Sequence, residues 1–371
     1  MNRTRILALV RKEARQLLRD PKTKRFMFGA PIIQLLMFGY AVTTDVSRIR
    51  TVVVDHDATQ ESRALLDALT ASEYFRIVLR SDRSADIGRA LDGGEALMGM
   101  EIPAGFAVDL NAGRGARVQV LVDGSNSNTA TVAQGYAARI VQQFGIAHAR
   151  ARGVSMDAGV DLRTRAWFNP GLESKVYNVP AVVGILLLMM ALLLTALSVV
   201  RERELGTLEQ LMVSPVTPGE LILGKTIPVA IITFIDLLLV ITLAVLWFGI
   251  PLRGSIFALL LAASLYILTA LGLGLLISTI SRTQQEAFMT MFLLLLPFII
   301  LSGFMYPIMT MPAFFQHLTL VNPVRWLLEV VRAVFLKGAG VRDILLPLAV
   351  LSVMAAGVFG AATARFRKTL G

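Results

Sequence analysis

The chain has 371 residues, of which 55% are hydrophobic and 17% charged, where an ordinary soluble domain carries roughly a quarter charged residues. With a mean hydropathy of +0.65 this excludes a plain soluble enzyme and indicates a membrane protein. The absence of cysteine excludes disulfides and thiolate chemistry, and a net charge of +10 raises the question of where the cations sit.

Residues 1–25 read as a basic amphipathic helix. Leu7, Val10, Ala14, Leu17 and Leu18 share one face, Arg5, Lys12, Gln16 and Arg19 the other, and Pro21 ends it, so the helix is expected to lie along the inner membrane surface. A first apolar run, 26–44, follows. It reads as an uncleaved anchor, because about 25 residues precede it and no small-x-small site follows Tyr40 cleanly. Further apolar runs cover 179–200, 226–250, 255–280, 287–306 and 344–364, each near the roughly 20 residues a spanning helix needs. The expected fold is therefore an α-helical polytopic membrane protein with six transmembrane helices.

Between the first two runs, residues 45–178 show soluble alternation. Strands are expected at 51–54, 75–79, 97–102 and 118–122, with helices beginning near Gln60, Ser84 and Pro103, and a capping box from Asp57 to Gln60. Val132, Tyr136, Ile140, Phe144 and Ala147 recur at helical spacing. This is an inserted α/β domain. The triplet Asp55, His56, Asp57 has the donors for a metal, yet with only His148 and His317 elsewhere a strand-end turn fits better.

Charge sets the orientation. Nine basic residues against Glu13 and Asp20 precede the first run, and Arg365, Arg367 and Lys368 follow the last, which places both ends in the cytoplasm and 45–178 outside. That domain holds 15 basic and 16 acidic residues, so the surplus lies in the membrane flanks and short loops, and nucleic acid is a poor partner for it. Arg325, Arg332, Lys337 and Arg342 fit this scheme badly, since the loop between the last two runs should face outward.

Residues 219–226, GELILGKT, match the pattern of a phosphate-binding loop letter for letter. Their context does not: the interior Glu-Leu-Ile-Leu lacks glycine, Pro215 and Pro218 stand where a strand should be, and an apolar span follows. Lys225 is expected to snorkel at the inner interface and Gly224 to permit close helix packing.

Taken with its upstream neighbours, RERELGTLEQLMVSPVTPGELILGK resembles the cytoplasmic loop of ABC-2 type permeases, the membrane subunits of ABC exporters, in the branch with a large extracytoplasmic domain. Glu204, Gly206, Thr207, Glu209 and Leu211 carry the E-x-G-T-x-E-x-L pattern, and VLVDGSNSNTA and NPVRW also look like that family. The resemblance implies a permease moving hydrophobic or amphipathic, drug-like or lipid-like substrates outward, not itself an enzyme, with ATP and magnesium bound by separate ABC ATPase subunits and no cofactor in this chain. It implies a homodimer, or a heterodimer with a sister permease, in a bacterial inner membrane among its lipids, and leaves room for periplasmic adaptor proteins. Residues 201–225 would couple to the ATPase through Arg201, Glu202, Glu204, Gly206, Thr207, Glu209 and Leu211, the acids meeting basic groups on the partner, with a second contact at 281–286. Residues 307–343 would dip into the outer leaflet, Trp326, Arg325 and Arg332 suiting an interface.

Within the spans, Asp236 stands 11 residues beyond Lys225, about 16 Å deep at 1.5 Å per residue. An acid at that depth marks a substrate pathway or a hydrogen-bonded helix contact. Ala270, Gly274 and Ser278 offer a row for close helix approach, and Pro228 and Pro297 are expected to kink their helices. Two other classes remain open: a proton-coupled carrier using Asp236, and a membrane-anchored scaffold whose outer domain binds a ligand.

Overall fold

The computed structural model describes residues 2–41, 48–125, 127–152, 174–207 and 216–370. The chain divides into two compact units, Met1–Thr43 with Ala166–Gly371, and Thr44–Arg165. The first begins with α1 (Arg3–Arg19), whose start is capped by the Asn2 side chain accepting from the Thr4 N–H. Asp20 is extended, and Pro21, lacking an N–H, opens α2 (Pro21–Lys24). A π-helical turn (Arg25–Gly29) then leads into α3 (Ala30–Ala41).

The second unit is α/β. Its elements are β1 (Ile49–Asp55), α4 (Gln60–Ala71), β2 (Phe75–Ser81), α5 (Ala85–Asp92), β3 (Met98–Ile102), α6 (Phe106–Asn111), β4 (Gln119–Val122) and α7 (Ser127–Ala151). The sheet order is β2-β1-β3-β4, parallel except for β4. Val52 and Val54 pack with Ile87 and Ala90 of α5, while Ile49 and Val53 face Leu65 and Leu69 of α4. Helices on both faces make the central strand a continuous apolar run. The four expected strands are present within a few residues. The expected cap is not: Thr59 caps α4 by accepting from Ser62, and Asp57 instead accepts from the backbone N–H groups of Gly105 and Ala107 at α6. A short carboxylate can reach either helix start, and the fold brings α6 to it.

The first unit resumes with α8 (Ser174–Glu204), α9 (Pro218–Leu246), α10 (Ile256–Ile280), α11 (Gln284–Ile300), α12 (Ala313–Leu318), α13 (Pro323–Lys337) and α14 (Leu345–Leu370). Among the described residues four helices are long and apolar enough to cross a membrane: Lys175–Glu204, Pro218–Leu246, Ile256–Ile280 and Arg342–Arg365. The runs at 26–44 and 287–306 give shorter apolar helices, Met27–Tyr40 and Gln284–Ile300. The latter stops because the Leu301 N–H turns back to Pro297, the Ser302 hydroxyl donates to the Ile299 carbonyl, and Gly303 is left-handed at φ +81°.

Helix α8 is the hub of this unit, 83% buried along its apolar window and packed against α3, α9, α10, α11 and α13. Small residues permit the approach: a Cβ on Gly274 would stand 2.8 Å from that of Thr195, and the buried Tyr266 hydroxyl donates to the Gly184 carbonyl at 2.8 Å. Ala270 and Ser278 of the expected row are also buried. Two of the ill-fitting arginines of the 307–343 stretch, Arg325 and Arg332, have partners. Arg332 lies 4.1 Å above the Tyr177 ring and donates to the Gly303 carbonyl, and Arg325 donates to the Thr319 hydroxyl and lies over Trp326. Trp326 itself is buried in the bundle with its N–H on the Leu320 carbonyl.

Candidate functional site

The last turn of α8 is the sequence Arg-Glu-Arg-Glu. At 100° per residue, four consecutive side chains fan around the helix, so each meets a different neighbour. Arg201 is exposed. Glu202 is buried against α1 and α9. Arg203 donates to the Ser278 and Ser281 carbonyls at 2.9 and 2.8 Å, satisfying acceptors that the end of α10 leaves open. Glu204 accepts from the Gln284 side chain at 2.7 Å where α11 begins. Gly206 follows at φ +71°, a conformation a side chain would strain, and the Thr207 hydroxyl returns to the Glu202 carbonyl at 3.2 Å. Leu205 is 65% exposed beside them.

Residues 219–226 are not a loop. They lie in the first turns of α9, started by a capping box in which the Thr217 hydroxyl accepts from the Glu220 N–H and Glu220 accepts from the Thr217 N–H. With these N–H groups in or near helical bonds, no backbone cradle for phosphate exists there. Lys225 does not snorkel: its side chain is 2% exposed. Its ammonium lies 3.2 Å from Glu13 Oε1, 2.9 Å from the Ser198 carbonyl and 2.7 Å from Glu202 Oε2, the last an ion pair off hydrogen-bond angle. Lys12 closes the group, 2.6 Å from Glu202 Oε1 and 3.2 Å from Glu13 Oε1. Burial alone would lower the Lys12 pKa, but the Glu202 hydrogen bond and the two nearby carboxylates raise it above its ordinary 10.5. Two ammoniums and two carboxylates make the cluster neutral, which is the condition for holding charge out of water.

Helix α1 is thus bound at two more points. The Asn2 N–H donates to Glu220 Oε1 at 2.6 Å, and at Gly224 a Cβ would come 2.6 Å from that of Leu9. The face α1 turns to the bundle holds Ile6, Leu9, Val10, Glu13, Ala14 and Leu17; Leu7 and Leu18 of the expected apolar face are exposed. The signal that could have found this face is Glu13, an acid spaced three and four residues from Val10 and Leu17.

Of the residues expected to couple, Arg201, Glu202, Glu204, Gly206 and Thr207 come together at this helix end, and the expected second contact at 281–286 lies beside them through Gln284. Glu209 and Leu211 lie outside the described residues. Glu202 is buried, and its carboxylate is taken up by Lys12 and Lys225 of this chain. Sequence reasoning missed Lys12, Glu13, Arg203 and Gln284, and gave Lys225 the wrong surroundings. Asp236 stands about three turns further along α9, on the face that carries Lys225. It is 1% exposed, and neither carboxylate oxygen has a hydrogen-bond partner among the described residues; nor does the Thr233 hydroxyl on the same side.

In the α/β unit the Asp55–Asp57 triplet is consumed locally. Asp55 accepts from the Asp57 and Ala58 N–H groups and from the Ser62 hydroxyl. His56 Nε2 lies 3.3 Å from the Ser84 hydroxyl and 3.2 Å from Glu101. Serine and carboxylate share one ring nitrogen, so the trio is no relay, and no metal-holding cluster occurs among the described residues.

Residues 25–364 match the family described as ABC-2 family transporter protein. The chain is 33% identical to the probable multidrug ABC transporter permease YbhR of Escherichia coli K12 over 98% of each chain. It is 35% identical to the probable multidrug permease YbhS of the same organism, over 90% of this chain and 89% of the other. The linearmycin resistance permease protein LnrN of Bacillus subtilis is similar at 24% identity, over 96% and 98%.

Proposed function

Because this chain belongs to the ABC-2 transporter family, we propose that it is the membrane subunit of an ABC exporter whose ATP is bound and hydrolysed on separate subunits docking at residues 201–225 and 281–286. The observation that carries this reading is the last turn of α8, where Glu202, Arg203 and Glu204 contact α1, α9 and the facing ends of α10 and α11. A force applied at this turn reaches four other helices through contacts shorter than 3 Å. Arg201, Leu205 and the outer edge of Glu204 are the groups left for a partner, an apolar knob ringed by charge. The chain transports and does not hydrolyse; both ends and the coupling turn lie in the cytoplasm, the α/β unit lies outside, and two permeases, identical or sister chains, complete the pathway. The names of the similar multidrug and linearmycin resistance permeases support amphipathic, drug-like cargo.

The unpartnered Asp236 carboxylate favours one addition. A buried acid with no hydrogen-bond partner among the described residues is suited to a mobile cation, which supports a role for Asp236 on the pathway of cationic cargo. The test of the main reading is co-purification: a tagged permease should retain its ATPase subunits, and Leu205→Asp should reduce their recovery at least fivefold while membrane insertion is unchanged. Full recovery with Leu205→Asp and Arg201→Glu together would refute the docking surface.

A further inference from the structure

Two neutralised charge pairs between α1, α8 and α9, with Glu13, Glu202 and Lys225 buried and Lys12 at the rim, are more than packing requires. Helix α1 could be glued to the bundle by Leu9, Val10 and Leu17 alone, and apolar residues in place of a buried ion pair often cost nothing. Charges hold geometry in a way that apolar contacts do not, because sliding one member strands the others. Each carboxylate of this cluster touches both ammoniums, so no pair can shift alone: Glu202 is fixed on the last turn of α8, Lys225 on the second turn of α9, and Lys12 and Glu13 on α1. Glu202 and Lys225 also stand at the two ends of the coupling loop and close its base.

The geometry points to Lys225, Glu202, Glu13 and Lys12 as a joint that makes α1 move as one body with the coupling loop, α1 being the second arm of the coupling element and Lys225 a positioning residue acting through Glu202. This rests on the docking of ATPase subunits at the loop. Lys12 at the rim, half exposed, and Lys225, sealed beneath it, act in series from the surface to the interior of the joint.

The chain has no cysteine, so pairs of spin labels can be placed without background. One pair joins Leu7→Cys on α1 to Phe257→Cys on α10, and a second joins Thr217→Cys, at the α9 end of the coupling loop and outside the docking groups, to Phe257→Cys; all three positions are exposed. The permease is purified with its ATPase subunits, and distances are compared without nucleotide and with ATP and vanadate. In the native background both distances should shift together. In Lys225→Met/Glu13→Gln, which keeps the cluster neutral with one pair remaining, the Thr217 shift should persist and the Leu7 shift fall to less than half, at unchanged ATPase recovery. A Leu7 shift that survives in the double variant, or a native Leu7 distance that stays fixed while Thr217 moves, would overturn the joint. Failure of the unlabelled native chain to retain ATPase subunits would overturn the docking reading, and the joint with it.

Discussion

Gly224→Ala gives a sharp test of how α1 is seated. A methyl on Gly224 would come 2.6 Å from Leu9 Cβ, 3.1 Å from its Cδ1 and 3.4 Å from its Cγ. Rotating the leucine relieves the last two contacts, but Cβ is fixed to the α1 backbone, so the helix itself must retreat by about 1 Å to reach the usual carbon separation near 3.5–4 Å. The 3.2 Å contact between Glu13 and Lys225 lies one turn along α1 and lengthens with it. Overpacking of this kind costs about 1–3 kcal/mol. At about 2–4 °C per kcal/mol for a unit of about 250 residues, the melting temperature in detergent should fall by about 2–12 °C. Gly357→Ala on α14, where a Cβ would meet nothing within 4 Å, supplies the opposite sign: relief from a helix-interior glycine should stabilise by about 0.5–1 kcal/mol. If Gly224→Ala melts at or above the native temperature while Gly357→Ala behaves as stated, α1 is not packed on α9 as described.

The isolated chain should show no magnesium-dependent ATP binding in equilibrium dialysis, and saturable binding lost on Lys225→Ala would refute the helical reading of residues 219–226. Glu204→Lys removes the acceptor for Gln284 and faces the partner with the wrong sign, so transport per ATP hydrolysed should fall several-fold with insertion intact; full transport would refute its coupling role. Asp236→Asn should lower resistance to a cationic toxic compound at least fivefold more than to a matched neutral one, and equal loss for both would remove Asp236 from the pathway. For Asp57, burial alone would raise the carboxyl, but the Thr59 hydroxyl and the Ala107, Gly105 and Phe106 N–H groups hold it below its ordinary 3.8. A depressed carboxyl stabilises above its unfolded pKa and ceases to do so as pH falls through the folded value. Hydrogen exchange at the start of α6 should therefore be faster in Asp57→Asn at pH 6, with the difference shrinking below about pH 4; a difference independent of pH would refute the charge assignment.

The strands of the α/β unit were legible because sheet burial is written in adjacent residues: Val52, Val53 and Val54 are apolar in sequence since both faces are covered. The long apolar helices were legible by length alone. The seat of α1 was not. Matching apolar letters to a stripe selected Leu7 and Leu18, and passed over Glu13 because an acid does not count as apolar, although it lies at the centre of the buried face. Nor could adjacent residues tell Glu202 from Glu204: both are acids in one turn, and only the positions of α1 and α11 decide that one turns inward and the other toward Gln284. One partner of Lys225, Glu13, is 212 residues away in the chain, a separation at which no local pattern carries information.

That separation has a consequence for synthesis. At about 5–20 residues per second, Lys225 follows Glu13 out of the ribosome by roughly 10–40 s, and in that interval the α/β unit and α8 are made and placed while Glu13 has no ammonium from α9 to receive it. During the wait the basic side chains of α1, Arg5, Arg11, Arg15 and Arg19, are of the sign that an anionic lipid surface attracts. A chain interrupted before residue 225 leaves Glu13 and Glu202 sharing Lys12 alone, with one negative charge unneutralised. Completion of α9 is thus the event that supplies the second ammonium and seals the N-terminal helix.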